Sequence, residues 1–204
     1  MKVAIFDYGA GNLHSLAKAL ERDGTAVTIE SDPVRAAHAD VLVLPGVGAF
    51  GSATERLAPG RDAMRAAILD GLPTIGICLG MQLLFDGSEE GAGAGLGLIP
   101  GHVTRLHAVR VPQIGWNEVV PVAGEPLFAT APLPIAYFAN SFVARPADDA
   151  SVIAWTEHEG DRFPSAVRAG SAVGVQFHPE KSSTDGVRFL HAFLDEAGTM
   201  KGSR

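Results

Sequence analysis

The chain opens on Lys2–Phe6, where one charge precedes four consecutive apolar residues. An apolar run that short and without alternation predicts a strand buried on both faces. Leu13, Leu16, Ala17 and Leu20 follow at i, i+3, i+4 and i+7, the stripe of one helix face. Ala26–Glu30 and Val41–Leu44 read as strands, Arg61–Asp70 as a helix and Thr74–Ile77 as another strand. This β-α-β-β-α-β order predicts an α/β fold with a central, mostly parallel sheet flanked by helices. From Gly87 to about Ala169 the helical period fades and short β-rich runs take over, at His102–Leu106, Ala136–Phe138, Ser151–Thr156 and Ser165–Ala169. Ala172–Phe177 is one more buried strand. Ser182 and Asp185 then read as a capping box before a last helix, Thr184–Glu196. No repeat or long polar linker interrupts the chain, so residues 1–204 are expected to form a single domain.

Charge removes one class of partner. Lys and Arg number 16 against 23 Asp and Glu, a net charge of −7, which argues against nucleic acid. Hydrophobic residues make up 47% and charged ones 19%, a composition that excludes a disordered chain. The longest uncharged run, Gly71–Phe85, contains Pro73 and Gln82 and falls short of the roughly 20 apolar residues of a bilayer span. The first apolar run meets Asp7 too early for a signal-peptide core. The single cysteine excludes an internal disulfide and a cysteine zinc cluster. A cytoplasmic protein with no membrane contact and no metal is expected.

Three segments have the makings of a site. In Gly76-Ile-Cys78-Leu-Gly80-Met-Gln82 an apolar strand runs into a cysteine flanked by glycines at −2 and +2, and a helical pattern starts behind it. That spacing has the logic of a nucleophile elbow, in which flanking side chains would clash. A helix N-terminus would also favour the thiolate of Cys78. A lone cysteine is otherwise a small buried hydrophobe, and it is the glycine pair that favours the reactive reading. In Gly174-Val-Gln-Phe177-His178-Pro179-Glu180-Lys181 a histidine follows a buried strand, with a carboxylate two residues on. A thiol needs a base, and the base needs an orienting group. The carboxyl ends of parallel strands share one edge, so Cys78 and His178 can meet there. The other six histidines lack such a setting. In Pro45-Gly46-Val47-Gly48 the glycines allow a backbone N–H to turn toward a developing oxyanion. No GxxxxGK[ST] or GxGxxG is present, and no cofactor is expected.

Taken together, Gly-Ile-Cys78-Leu-Gly-Met-Gln82 and Gly-Val-Gln-Phe-His178-Pro-Glu180 resemble the class I glutamine amidotransferases with a Cys-His-Glu triad. Asp7-Tyr-Gly-Ala-Gly-Asn12-Leu, Leu-Pro-Gly-Val-Gly48-Ala-Phe, Ser88-Glu-Glu90-Gly, Gly115-Trp116-Asn117 and His-Pro-Glu-Lys181-Ser resemble, more narrowly, the glutaminase subunits of imidazole glycerol phosphate synthase. Met81 and Lys181 separate the chain from anthranilate-type relatives, which carry His and Ser there. Two positions depart from the family: Gln113 and Asn140 stand where it usually has histidines. Both lie outside the triad and bear on partner docking and control.

The resemblance implies a flavodoxin-like fold and a separate cyclase partner, a (β/α)8 barrel, in a heterodimer. It implies L-glutamine as substrate, Cys78 as nucleophile, His178 as acid and base, and Glu180 as its orienting group. Leu79, Val47 and Gly48 would supply the oxyanion's backbone donors. Gly48, Gln82, Glu90, Asn140 and Ser141 would hold the substrate. Asn12, Trp116, Tyr137 and Lys181 would line the cyclase interface, and ammonia would pass through it for imidazole glycerol phosphate formation in histidine biosynthesis. A paralogous glutaminase serving another acceptor, a stand-alone γ-glutamyl hydrolase and a non-catalytic binding module remain as alternatives.

Overall fold

The computed structural model describes residues 1–9, 11 and 13–202, without the side chains of 200–202. The first part alternates strands and helices: β1 (Lys2–Phe6), α1 (Leu13–Leu20), β2 (Ala26–Glu30), α2 (Pro33–Ala36), β3 (Val41–Leu44), α3 (Phe50–Leu57), α4 (Arg61–Leu69), β4 (Thr74–Ile77) and α5 (Leu79–Gln82). The middle holds β5 (Gly87–Ser88), β6 (Gly101–Arg105), β7 (Gln113–Glu118), β8 (Val120–Pro121), α6 (Pro126–Thr130), β9 (Ile135–Asn140) and β10 (Phe142–Pro146). It closes with β11 (Val152–His158), β12 (Asp161–Ala169), β13 (Ala172–Val175) and α7 (Ser183–Gly202).

One eight-stranded sheet, ordered β2-β1-β3-β4-β13-β12-β11-β8, organises the fold. Its first five strands run parallel, and β12, β11 and β8 continue antiparallel. The parallel half has the flavodoxin-like order, so its carboxyl edge is where such sheets bind ligands. β10, β6 and β5 form a small second sheet, and β7 pairs with β9 in a two-stranded ribbon.

Strand pleating explains why these strands are apolar throughout. Val3, Ile5, Val41, Val43, Ile75 and Ile77 face one core, where Leu16 and Leu20 of α1 meet Phe189 and Phe193 of α7. Ala4, Phe6, Leu42 and Leu44 face the other, against Phe50 and Leu57 of α3 and Met64 and Ile68 of α4. Each large side chain so buried contributes about 1.5–3 kcal/mol.

Three sequence expectations change. Two helices were missed, so the opening order is not β-α-β-β-α-β. One is α2, a single turn capped by Asp32, whose carboxylate accepts from Val34 and Arg35 N–H, and too short to show a period. The other is α3, whose buried face (Phe50, Ala53, Thr54, Leu57) is interrupted by Gly51 and Ser52. The last helix begins at Ser183 and extends to Gly202. Ser182 and Asp185 make no reciprocal box: the Ser182 hydroxyl donates to His178 O (2.7 Å) and accepts from Tyr137 N–H (2.9 Å), while Asp185 pairs with Arg188.

Candidate active site

The carboxyl ends of β3, β4 and β13 assemble the site. β4 delivers Cys78 in a conformation that side chains rarely adopt (φ 47°, ψ −102°), which the surroundings must impose. Its two glycines supply the room. A Cβ on Gly76 would lie 2.4 Å from Gly80 O, and one on Gly80 would lie 2.0 Å from Leu44 O. The Cys78 N–H donates to Val175 O at 2.7 Å, which joins the turn to β13.

β13 carries the chain into His178, 1% exposed, and Glu180 in the short 3-10 turn Pro179–Lys181. His178 Nδ1 lies 2.8 Å from Glu180 Oε1, and the ring also hydrogen-bonds the Cys78 sulfur. Burial disfavours a charged ring here, but Cys78 and Glu180 outweigh it and raise the His178 pKa from 6.5 to about 9. The geometry therefore favours a thiolate–imidazolium pair. The helix behind Cys78 is only the single turn α5, so its dipole adds little to thiolate stability, contrary to the sequence expectation. Histidine is the principal positive partner.

A cavity of about 280 Å³ opens in front of the sulfur. It is lined by Gly46, Val47 and Gly48 after β3, by Cys78, Leu79 and Gln82, by Glu90, by Ala139–Phe142 and by His178 and Lys181. Gly46 lets the loop pass close to the pair, since a Cβ there would meet His178 Cε1 at 2.9 Å. Gly48 adopts φ 133°. Leu79 opens α5, where first-turn N–H groups have no intrahelical acceptor. Ala49 cannot cap α3; Glu90 does so instead, accepting the Phe50 N–H at 3.0 Å. Asn140 Nδ2 donates to Phe142 O at 3.2 Å, and Ser141 O accepts from Leu106 N–H at 2.9 Å.

The interface expectations divide. Lys181 stands exposed at the cavity. Trp116 and Tyr137 lie outside it, paired across β7 and β9 on the outer face of the ribbon, with ring centroids 6.2 Å apart and an interplanar angle of 81°. Trp116 is 56% exposed, so it is not a core aromatic. Asn12 lies outside the described residues.

Two residues went unnoticed in the sequence. Gln176, fully buried, donates from Nε2 to Cys78 Sγ at 3.4 Å. A polar residue in an apolar strand, two positions before His178 and so on the same face, was the available signal. Tyr8, after β1, donates its hydroxyl to Pro45 O and so ties down the glycine loop after β3. Burial, with the negative charges of Cys78 and Asp7, raises its pKa well above the usual phenol value. Among the described residues no three His, Cys, Asp or Glu converge as a metal cluster, and no helix is long and apolar enough to cross a membrane.

An elbow cysteine paired with a histidine and glutamate on a flavodoxin-like sheet points to one class of protein, the class I glutamine amidotransferases, and that family matches residues 4–197. A solved glutamine amidotransferase superposes with a TM-score of 0.74 at 22% identity, covering 96% of this chain and 98% of its own, a likeness of fold. The imidazole glycerol phosphate synthase subunit HisH of Halobacterium salinarum is 45% identical over 95% of this chain and 92% of its own length. The subunit of the same name from Symbiobacterium thermophilum is 47% identical over 93% and 91%. The chain belongs to the class I glutamine amidotransferases and, within them, to the HisH family.

Proposed function

We propose that the chain is the glutaminase subunit of an imidazole glycerol phosphate synthase, acting in the cytoplasm on L-glutamine for histidine biosynthesis. The observation that carries this reading is the buried Cys78–His178–Glu180 arrangement facing the cavity. The Cys78 thiolate attacks the side-chain amide carbon of glutamine. The negative oxygen that develops is held by backbone N–H groups at Leu79 and at Val47–Gly48. His178 gives its proton to the departing ammonia, leaving a thioester. It then takes a proton from the attacking water, and glutamate leaves with the thiol restored. Glu180 keeps the ring oriented. Glu90, already fixed at the start of α3, suits the α-ammonium of glutamine, and Gln82, Asn140, Ser141 and Gly48 complete the pocket.

A cyclase barrel would dock on the outer face of the β7/β9 ribbon. Ile114, Trp116 and Ile135 stand 67%, 56% and 51% exposed there, beside Tyr137, more apolar surface than an isolated ribbon face tends to show. Ala139, on the same face, reaches the glutamine cavity. A second cavity of about 130 Å³ shares Gly46, Val47 and Lys181 with the first and suits an exit path for ammonia toward that partner. The ribbon is also tied to the catalytic turn: His178 N–H donates to Tyr137 O at 2.8 Å, and Tyr137 N–H donates to Ser182 Oγ. This is a physical route by which docking reaches the histidine.

The test measures glutamine hydrolysis by the chain alone, then with the cyclase and its nucleotide ligand. Stimulation by the partner, abolition in Cys78→Ser and replacement of glutamine by free ammonium in the cyclase reaction are expected. Full hydrolysis without a partner and no gain with one would point to a stand-alone hydrolase.

A further inference from the structure

We infer that Gln176 is a positioning residue that aims an N–H at the catalytic sulfur, its orientation fixed by a relay that starts at the Phe142 carbonyl. This rests on the reading of Cys78 as nucleophile. A backbone carbonyl can only accept a hydrogen bond. Phe142 O lies 3.1 Å from the Gln82 amide, so Gln82 must present its NH₂ there. The same NH₂ lies 3.2 Å from the Gln176 amide, which must answer with its oxygen. With its oxygen so committed, Gln176 turns its own NH₂ toward Cys78, where Nε2 lies 3.4 Å from Sγ.

No link in this chain has a free choice of direction. Gln176 is fully buried and Gln82 is 4% exposed, so water does not compete for these bonds. An N–H aimed at sulfur stabilises a thiolate more than a thiol, because bonds to a charged acceptor are stronger. His178 approaches the same atom as the other donor. The sulfur is therefore held between an imidazolium, which also exchanges protons, and an amide, which cannot. The amide keeps the thiolate supported when His178 gives its proton to ammonia and becomes neutral. The relay also begins in the substrate pocket, since Phe142 and Gln82 both line it.

Alkylation by iodoacetamide reads this directly in the full chain, because Cys78 is its only thiol. Gln176→Met keeps the volume and removes the N–H. The pH at which alkylation reaches half its maximum rate should rise by about one pH unit, roughly a tenfold slower reaction on the acid side. The kcat for glutamine should fall with it while KM stays within about twofold, because Gln82 keeps its bond to Phe142 O. Gln82→Met is a second route that leaves Gln176 in place but unoriented. It should move the alkylation midpoint in the same direction by less, and alkylation requires no bound glutamine. If either variant, folded by circular dichroism, retained the wild-type alkylation profile, the proposal would be overturned. Turnover surviving in Cys78→Ser would instead overturn the nucleophile reading, and the proposal with it.

Discussion

Gln113 and Asn140 face each other directly across the β7/β9 ribbon, both on its buried side and each with its amide oxygen lacking a hydrogen-bond partner. These are the two positions where the chain departs from the histidines of its family. In the fold the two departures form one contact. Replacing one side chain changes what its neighbour meets, so Gln113→His and Asn140→His should couple. Denaturant unfolding of the single and double variants should give a coupling of about 0.5–3 kcal/mol, with the double variant better tolerated than the sum predicts. Additive effects would show that the two positions changed independently.

Cys78, His178 and Glu180 should behave as one unit. His178→Ala should lower kcat by about 10²–10⁴. Glu180→Ala should cost less, since an unoriented ring still visits the sulfur. The double variant should fall no more than about tenfold below His178→Ala. Multiplication of the two separate losses would mean that Glu180 acts other than through the histidine.

The raised pKa of His178 predicts an alkaline limit. Its folded value of about 9 exceeds the ordinary 6.5, so the protonated ring stabilises the fold fully below 6.5 and progressively less as pH rises through about 9. The kcat should decline in the same window, because the ring that protonates ammonia is being emptied. A kcat–pH profile and unfolding curves at about pH 7 and pH 10 check both limbs. A loss of stability just as large in His178→Gln would assign the effect to other groups.

The elbow glycines and a helix glycine should respond oppositely to alanine. Gly80→Ala drives a Cβ into the Leu44 carbonyl and should cost about 3 kcal/mol or more. Gly198, exposed on α7, has nothing within 4 Å of the new carbon. Gly198→Ala should raise stability by about 0.5–1 kcal/mol. Thermal unfolding distinguishes the two.

Lys181 tests the coupling to the cyclase. It is exposed in the free chain and stands at both cavities. An ion pair sealed by a partner is worth far more than one open to solvent. Lys181→Ala should therefore cut cyclase-stimulated hydrolysis by about tenfold and leave basal hydrolysis within about twofold. Equal losses in both assays with unchanged partner affinity would remove Lys181 from the interface.

The parallel sheet was legible because β1, β3, β4 and β13 are buried on both faces, and burial of that kind writes itself as an apolar run. The cysteine and histidine segments were legible because a sharp turn demands glycine and a histidine needs a neighbouring carboxylate. What stayed hidden depends on distance in space. Nothing local says that Glu90 caps α3, that Gln176 reaches Cys78 or that Gln113 meets Asn140. The helix α2 escaped because one turn has no period, though Asp32-Pro33 was a readable start. Trp116 is ambiguous in sequence, since an aromatic residue in a strand looks the same whether it faces a core or a partner.

The pairing of β4 with β13 also bears on how the protein comes into being. Cys78 is in place early in synthesis, but the strand that carries its base follows nearly a hundred residues later and seats itself between β4 and β12. Until β13 fills that slot, Cys78 lacks its backbone partner Val175 as well as Gln176 and His178. A half-made chain on the ribosome then carries a cysteine no more reactive than a free one. Chemical competence arrives in a single late step, and a misfolded chain that fails to insert this strand is inert toward glutamine.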